Sequence, residues 1–295
     1  MTARVSICIP TYNRKNYLKE TLASVFAQTY KDHEVVVLDD GSTDGTGEMI
    51  KKAAYPNLRY YWQENAGLSA ARNKLIDLSQ AEFITFIDSD DLLMPDAVER
   101  MIKVMEAEGG DSIVYGPYLR IDENGNVFGK CERKLYSGFI TTQLFENILV
   151  HSCGSMFPRR ILQEAGGFDE SLKVSMDYDL WLRLSLKYRF VAIREPTFKR
   201  RRHCTNLSAA SAENVMTELR ILERFYYERG GKNIISEKIA ARRLSRGQYR
   251  VGKHLLKEKR FGEAIRYFRE SFSKNPNPKA LLMWGFAVLR HPGGR

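Results

Sequence analysis

The sequence predicts an α/β fold, a mostly parallel sheet with helices on both faces, followed by a C-terminal helical segment. Three observations carry that reading. β-Branched and aromatic runs alternate with amphipathic helical patterns through the first 110 residues. Polar clusters follow three of those runs, and nothing from about residue 211 onward reads as strand.

The first run, VSICI (5–9), leads into PTYNR, and residues 16–30 then place Leu18, Leu22, Val25 and Phe26 on one helical face. EVVVLD (34–39) is the second strand; Gly41, Ser42 and Thr43 follow it as a turn leading into a helix. LRYYW (58–62) is the third. ENAGLSAARN (64–73) then opens a helix over 69–79 that aligns Ala71, Leu75, Ile76 and Leu78. FITFI (83–87) is the fourth strand and runs into Asp88, Asp90 and Asp91, with Pro95 suited to a helix start. Beyond residue 110, SIVYGPYLRI, the turn-rich DENGN (122–126) and VFGK predict a hairpin. CGSMF (153–157), PRRILQEAGGF and a helix beginning near Asp177 come next. Residues 249–282 read as two antiparallel helices resembling a tetratricopeptide unit, with Gly252, Ala264, Phe268 and Pro276 near the expected places. One unit is too few for a solenoid, so it reads as a helical cap or a partner surface.

A hydrophobic content of 43% and a charged content of 28% exclude disorder on the scale of a domain. No apolar run approaches the roughly 18–20 residues that cross a bilayer, and MTARVSICIPTYNR lacks a signal-peptide core, so the expected location is the cytoplasm. Cys8, Cys131, Cys153 and Cys204 are scattered and read as free thiols of a reducing compartment. The net charge of +10 is uneven: residues 1–120 carry 13 Lys/Arg against 18 Asp/Glu, residues 121–198 carry 10 against 10, and residues 199–295 carry 23 against 8. That excess suits an anionic membrane surface, nucleic acid or an acidic polymer, and equally a solvated helical surface.

In parallel α/β sheets ligands bind at the carboxyl edge, so the three polar clusters should meet in one crevice. A turn with a helix cap accounts for Gly41 and Ser42 but does not require both Asp39 and Asp40. A carboxylate at that strand end can accept the imide N–H of a uracil ring or a ribose hydroxyl, a role we place on Asp40. Asp88, Asp90 and Asp91 would repel one another by roughly several kcal/mol even at an effective dielectric of about 20, so a cation belongs among them. Oxygen-only ligands of this kind suit Mn²⁺ or Mg²⁺, with a substrate diphosphate completing the shell. Arg72, on the helix after Gly67, either decorates a helix surface or orients the aspartates.

SICIPTYNR, VVVLDDGSTDGT, ENAGLSAARN and FIDSDDLLMPD together resemble the family 2 glycosyltransferases, inverting enzymes with the Rossmann-like GT-A fold. RRILQEAGGFDESL (159–172), MDYDLWLRL (176–184) and KRRRHCTNLS (199–208) extend the resemblance, which covers about residues 4–208. It implies a metal-dependent, hexosyltransferase-type enzyme that takes a UDP-linked sugar and delivers it to a carbohydrate or lipid-linked hydroxyl in cell-surface polysaccharide or glycan assembly. It divides the chain into a catalytic domain over 1–210, with a nucleotide-sugar half (1–110) and an acceptor half (111–210), and a helical extension over 211–295.

By the same resemblance Pro10, Thr11 and Tyr12 wall the base, and Arg14, Gly67, Arg72, Asp88, Ser89 and Asp90 join Asp40 in donor binding. Asp90, Asp91 and His203 hold the metal, with Arg202 and His203 also reaching the diphosphate; which aspartate takes the ion and which the ribose stays open. Asp177 is the candidate base that takes the acceptor proton, and it also suits the N-cap of its helix. Met176 stands where the family often has Glu, so a second acid for the acceptor is not expected. Trp181 fits either the core or a sugar-stacking face. Peripheral contact of the basic C-terminal helices with the inner face of a membrane is the accompanying expectation, and nucleic acid is not among the expected partners. PTYNRKNY lacks G-x-G-x-x-G, which argues against a dinucleotide oxidoreductase. The remaining rival is a non-catalytic binding module built on the basic tail.

Overall fold

The computed structural model describes residues 3–53, 55–131, 133–203 and 211–290. The elements in chain order are β1 (Val5–Thr11), α1 (Lys15–Phe26), β2 (His33–Asp39), α2 (Thr46–Ala53), β3 (Leu58–Trp62), α3 (Leu68–Leu78), β4 (Phe83–Phe86), β5 (Leu92–Leu93) and α4 (Ala97–Ala107). They continue with β6 (Ile113–Tyr115), β7 (Tyr118–Ile121), β8 (Val127–Lys130), α5 (Thr141–Glu146), β9 (Met156–Pro158), α6 (Arg159–Glu164), α7 (Met176–Ser185), β10 (Phe190–Ala192) and β11 (Phe198–Arg201). Helices α8 (Ala212–Glu228), α9 (Glu237–Lys257), α10 (Phe261–Lys274) and α11 (Pro278–Arg290) complete the chain.

The chain forms two compact units, Met1–Ile140 with Leu149–Thr205, and Thr141–Ile148 with Asn206–Arg295. The first is built on a seven-stranded sheet in the order β10-β6-β9-β4-β1-β2-β3, in which β9 alone among the described strands runs antiparallel to its neighbours. Every residue of β1 and β2 is buried, as expected of parallel strands covered on both faces. Period-two alternation sorts them. Val5, Ile7, Ile9, Val35 and Val37 join Leu18, Leu22 and Val25 of α1 and Met101 and Met105 of α4 in one core. On the opposite face Cys8 meets Ser79 at the end of α3 (Sγ–Oγ 3.2 Å), and Phe86 and Phe157 pack with Phe168 and Trp181.

A second sheet, β5-β11-β7-β8, lies outside the sequence expectation. The expected hairpin is there: β7 and β8 pair antiparallel around residues 122–126. β6 and β7 nevertheless belong to different sheets, because the chain breaks at Gly116 and Pro117, where an added Cβ would lie 2.7 Å from Thr197.

In the second unit α9 and α10 run antiparallel. Ser245 Oγ donates to the carbonyl of Ser271 (2.7 Å), Gln248 reaches Glu270, and the ring of Phe268 lies where a Cβ at position 252 would be, 2.8 Å away. Gly252 thus permits the close crossing that the tetratricopeptide resemblance predicts. The short α5 belongs here too, although it lies in the stretch expected to form the acceptor half. Phe145 packs on Phe225 and Tyr226 of α8, and its carbonyl accepts from Arg243 Nε (3.0 Å). No helix among the described residues is long and apolar enough to cross a membrane.

Candidate active site

Because β1, β2 and β4 are mutually parallel, the segments PTYNR, DDGST and DSDD all leave the same edge of the sheet. The first two are laced together: Asn13 N–H donates to Ser42 Oγ (2.8 Å), Thr43 N–H to Asn13 Oδ1 (2.8 Å) and Lys15 N–H to Asp44 Oδ2 (2.9 Å). Pro10 and Thr11 are buried at the end of β1, Tyr12 is 49% exposed, and Arg14 caps α1. The paired aspartates divide their labour. Asp39 accepts from Ser42 N–H (2.8 Å) and the Tyr60 hydroxyl (2.9 Å) and so builds the turn. Asp40 accepts from Gln63 Nε2 (2.7 Å), Ala66 N–H (2.9 Å) and Gly67 N–H (2.9 Å), which fixes the loop before α3. Three donors on a carboxylate that offers about four lone-pair sites leave room for one more. Gly67 takes φ +92°, a conformation suited to glycine, and an added Cβ there would meet open space.

Each aspartate after β4 has a different partner. Asp88 accepts from Arg72 Nη2 (2.7 Å), and its own N–H points at Cys153 Sγ (3.3 Å). Burial works to raise the Asp88 carboxyl, but the Arg72 ion pair outweighs it and holds the group below its usual range. Arg72 is itself buried and stacks over Phe168 (5.5 Å), so its role is orientation of the aspartate and not helix decoration. Asp90 Oδ2 meets His203 Nε2 at 2.8 Å, and that imidazole, 2% exposed, stacks on Tyr17 with 5.3 Å between ring centroids. Ser89 is buried between them in sequence. Asp91 Oδ1 accepts from Arg201 N–H (2.8 Å); burial, then the charges of Asp90 and Asp88, push its carboxyl well above the usual range.

Ligand atoms of Asp88, Asp91 and Cys153 lie within 4.8 Å of one another. Two carboxylates, one of them strained upward by its neighbours, fit a hard divalent cation such as Mn²⁺ or Mg²⁺, and the sulfur is a softer donor than either ion prefers. Burial, then Asp88 and Asp91, raise the Cys153 thiol well above its ordinary value, so it stays protonated in this setting. Of the residues expected on the metal, Asp91 is in this cluster, whereas Asp90 and His203 are paired with each other beside it.

Asp177 sits in the first turn of α7 and accepts from Tyr178 N–H through Oδ1 (2.8 Å). The N-cap is Ser175, in the left-handed region at φ +58°, so the capping role expected of Asp177 is corrected. Burial raises the Asp177 carboxyl; Arg72 opposes this and Asp88 adds to it, which ties Asp177 electrostatically to the aspartate cluster. Trp181 belongs to the core: it is fully buried and stacked on Phe157 at 4.6 Å and 4°. Asp179 is buried and bound to Arg183 (2.9 Å), whose guanidinium also donates to the carbonyls of Ala165 and Gly167.

Two contributors carry no expected role in the sequence. Cys153 reads there as a free thiol. Arg201 lies inside the basic run 199–203 with no role of its own expected there, yet its side chain is fully buried, donating to the carbonyls of Asp90 (2.9 Å) and Glu123 (2.7 Å), pairing with Glu20 (2.6 Å) and lying over Tyr17 (4.8 Å). Strand periodicity would not have found it, since β11 buries Phe198 and Arg201, three positions apart and on opposite faces, while Lys199 and Arg200 between them stay half-buried. Arg202 is exposed, and its N–H donates to the Ile121 carbonyl (2.9 Å). Residues 204–208 of the expected loop, Cys204 included, lie outside the described residues.

A family model described as glycosyl transferase family 2 matches residues 6–166. An uncharacterized glycosyltransferase of Rickettsia conorii is 36% identical over 186 residues, 61% of this chain and 31% of the relative. Chondroitin synthase of Escherichia coli is 34% identical over 207 residues, 69% of this chain and 30% of that protein. The chain therefore spans about a third of the length of these relatives. Among solved structures, S. aureus TarS in complex with UDP superposes with a TM-score of 0.69 at 18% identity, covering 97% of this chain and 87% of the other. A mannosyltransferase from Pyrobaculum calidifontis in complex with GDP-Man and Mn²⁺ gives 0.60 at 17% identity, covering 98% and 81%. At these identities the structural likeness shows the fold.

Proposed function

The chain belongs to glycosyl transferase family 2, and from that premise we propose that it moves a hexose from a UDP-linked donor to a hydroxyl of a carbohydrate or lipid-linked acceptor, with inversion at the sugar carbon. The observation that carries the reading is the convergence at one sheet edge of the loop fixed by Asp40 and the Asp88–Asp91–Cys153 cluster, to which the charges of Arg72 and Asp88 link Asp177 in the first turn of α7. Asp40 offers its remaining lone pair to the base, against Pro10, Thr11 and Tyr12. Arg72 holds Asp88 in place, and Arg201 holds the loop of Asp90 and Asp91. Asp88 and Asp91, with the Asp90–His203 pair alongside, would hold Mn²⁺ or Mg²⁺, whose chemistry when bound is to neutralise charge on a departing diphosphate. Asp177, more basic than an ordinary aspartate because of burial, takes the acceptor proton. A relative that makes chondroitin and neighbours crystallised with UDP and GDP-Man support assembly of a polysaccharide or glycan from a nucleotide-sugar. The setting that suits this is the cytoplasm, with the basic C-terminal helices against the inner face of a membrane.

Thermal melting tests the proposal. UDP should raise the melting temperature only when Mn²⁺ or Mg²⁺ is present, and Asp91→Asn, which can still accept from Arg201 N–H, should abolish that dependence. A panel in which no nucleotide gives a metal-dependent shift would sink it.

A further inference from the structure

The last helix, α11, presents its apolar side outward. Ala280 and Ala287, seven residues apart, form its buried stripe, while Leu282 and Leu289 are 74% and 87% exposed and Leu281, Phe286 and Val288 extend the same outward face. An exposed apolar face of this breadth marks an interaction site, so this arrangement calls for an apolar occupant. The surrounding charge says which. α11 contains no acidic residue, Lys279 and Arg290 border the ridge, and Arg290 lies over the Phe286 ring at 4.4 Å with its apolar stem on the helix. Residues 237–290 carry 14 Lys/Arg against 4 Asp/Glu. A second copy seated on the ridge would bring like charge to like charge, whereas an anionic bilayer brings the opposite charge and an apolar interior together. At about 1.5 Å per residue the helix is roughly 20 Å long, short of the roughly 30 Å hydrocarbon core, so it would lie in the plane of the surface.

We propose that α11 is an interfacial helix that seats Leu282, Phe286 and Leu289 among the acyl chains of an anionic bilayer, with Lys279 and Arg290 at the phosphates. This rests on the reading of the basic C-terminal helices as membrane-facing and adds an apolar anchor to it. The test is cosedimentation of the full chain with vesicles of phosphatidylcholine alone or mixed with phosphatidylglycerol, without donor, so a failed donor screen leaves it standing. The wild type should bind the mixed vesicles at least tenfold more tightly than the neutral ones. Leu282→Glu with Leu289→Glu should weaken that binding at least tenfold, and Leu282→Ala with Leu289→Ala, which favours the helix, should weaken it in the same direction. Unchanged binding by both variants would leave only the electrostatic contact and overturn the anchor. No binding by the wild type would overturn both, and a lipid-free dimer lost in the same variants would assign the ridge to a second copy.

Discussion

Asp177 is pulled in two directions: burial favours its neutral form, and Arg72 favours the carboxylate. Burial wins, so the folded protein holds this proton more tightly than the unfolded chain does. Its contribution to stability is present at low pH and is lost as pH rises through the raised value. Activity, with Asp177 as the proposed base, should run the other way, because a base must be ionised. The acid limb of kcat/KM should therefore fall above the ordinary aspartate range, and Arg72→Met should move it higher still. Asp177→Asn should lower transfer by about 10²–10⁴-fold while donor binding, followed by calorimetry, is retained. Asp179 cannot stand in, since Arg183 already holds it.

Among the elements, β11 shows how a short strand can organise a site it barely touches. Arg201 ends it, and four groups from other segments converge on that one side chain. Arg201→Met keeps much of the volume but leaves the Asp90 and Glu123 carbonyls without their donor, each worth about 1–3 kcal/mol when buried. Urea denaturation should report a loss of about 2–4 kcal/mol, and the metal-dependent UDP shift should shrink with it. Long strands such as β1 and β2 were legible because β-branched runs mark them. Of the second sheet only the β7–β8 hairpin was legible; β5 and β11 are two and four residues long, and tertiary pairing, not local propensity, makes them strands. The aspartate cluster was legible from its position after β4, whereas Cys153 reaches it through an isolated bridge to Phe86 and a contact with Asp88 N–H, pairings 67 and 65 residues apart in sequence that no local pattern encodes.

On the scale of the whole molecule, the chain enters the second unit twice, once for α5 and again after residue 205. Leu144 and Phe145 of α5 are fully buried, and their unit also binds Glu146 to Arg242 and Phe145 to Arg243. Glu218 is buried there between Arg243 (2.7 Å) and Arg250 (2.8 Å). A chain cut after residue 210 should therefore express poorly or aggregate, and Leu144→Ser with Phe145→Ser in that short form should restore some solubility, as read by gel filtration. Stable monomer from the unmodified short form would show that α5 needs none of its partners.

That divided connectivity also has a timetable. α5 leaves the ribosome 66 residues before α8 begins and 111 before α9 ends, which at about 5–20 residues per second is on the order of 3–20 s. For that interval the nascent chain carries an apolar segment with nothing yet made to cover it, and a chaperone that binds short hydrophobic stretches has a defined moment in which to do so.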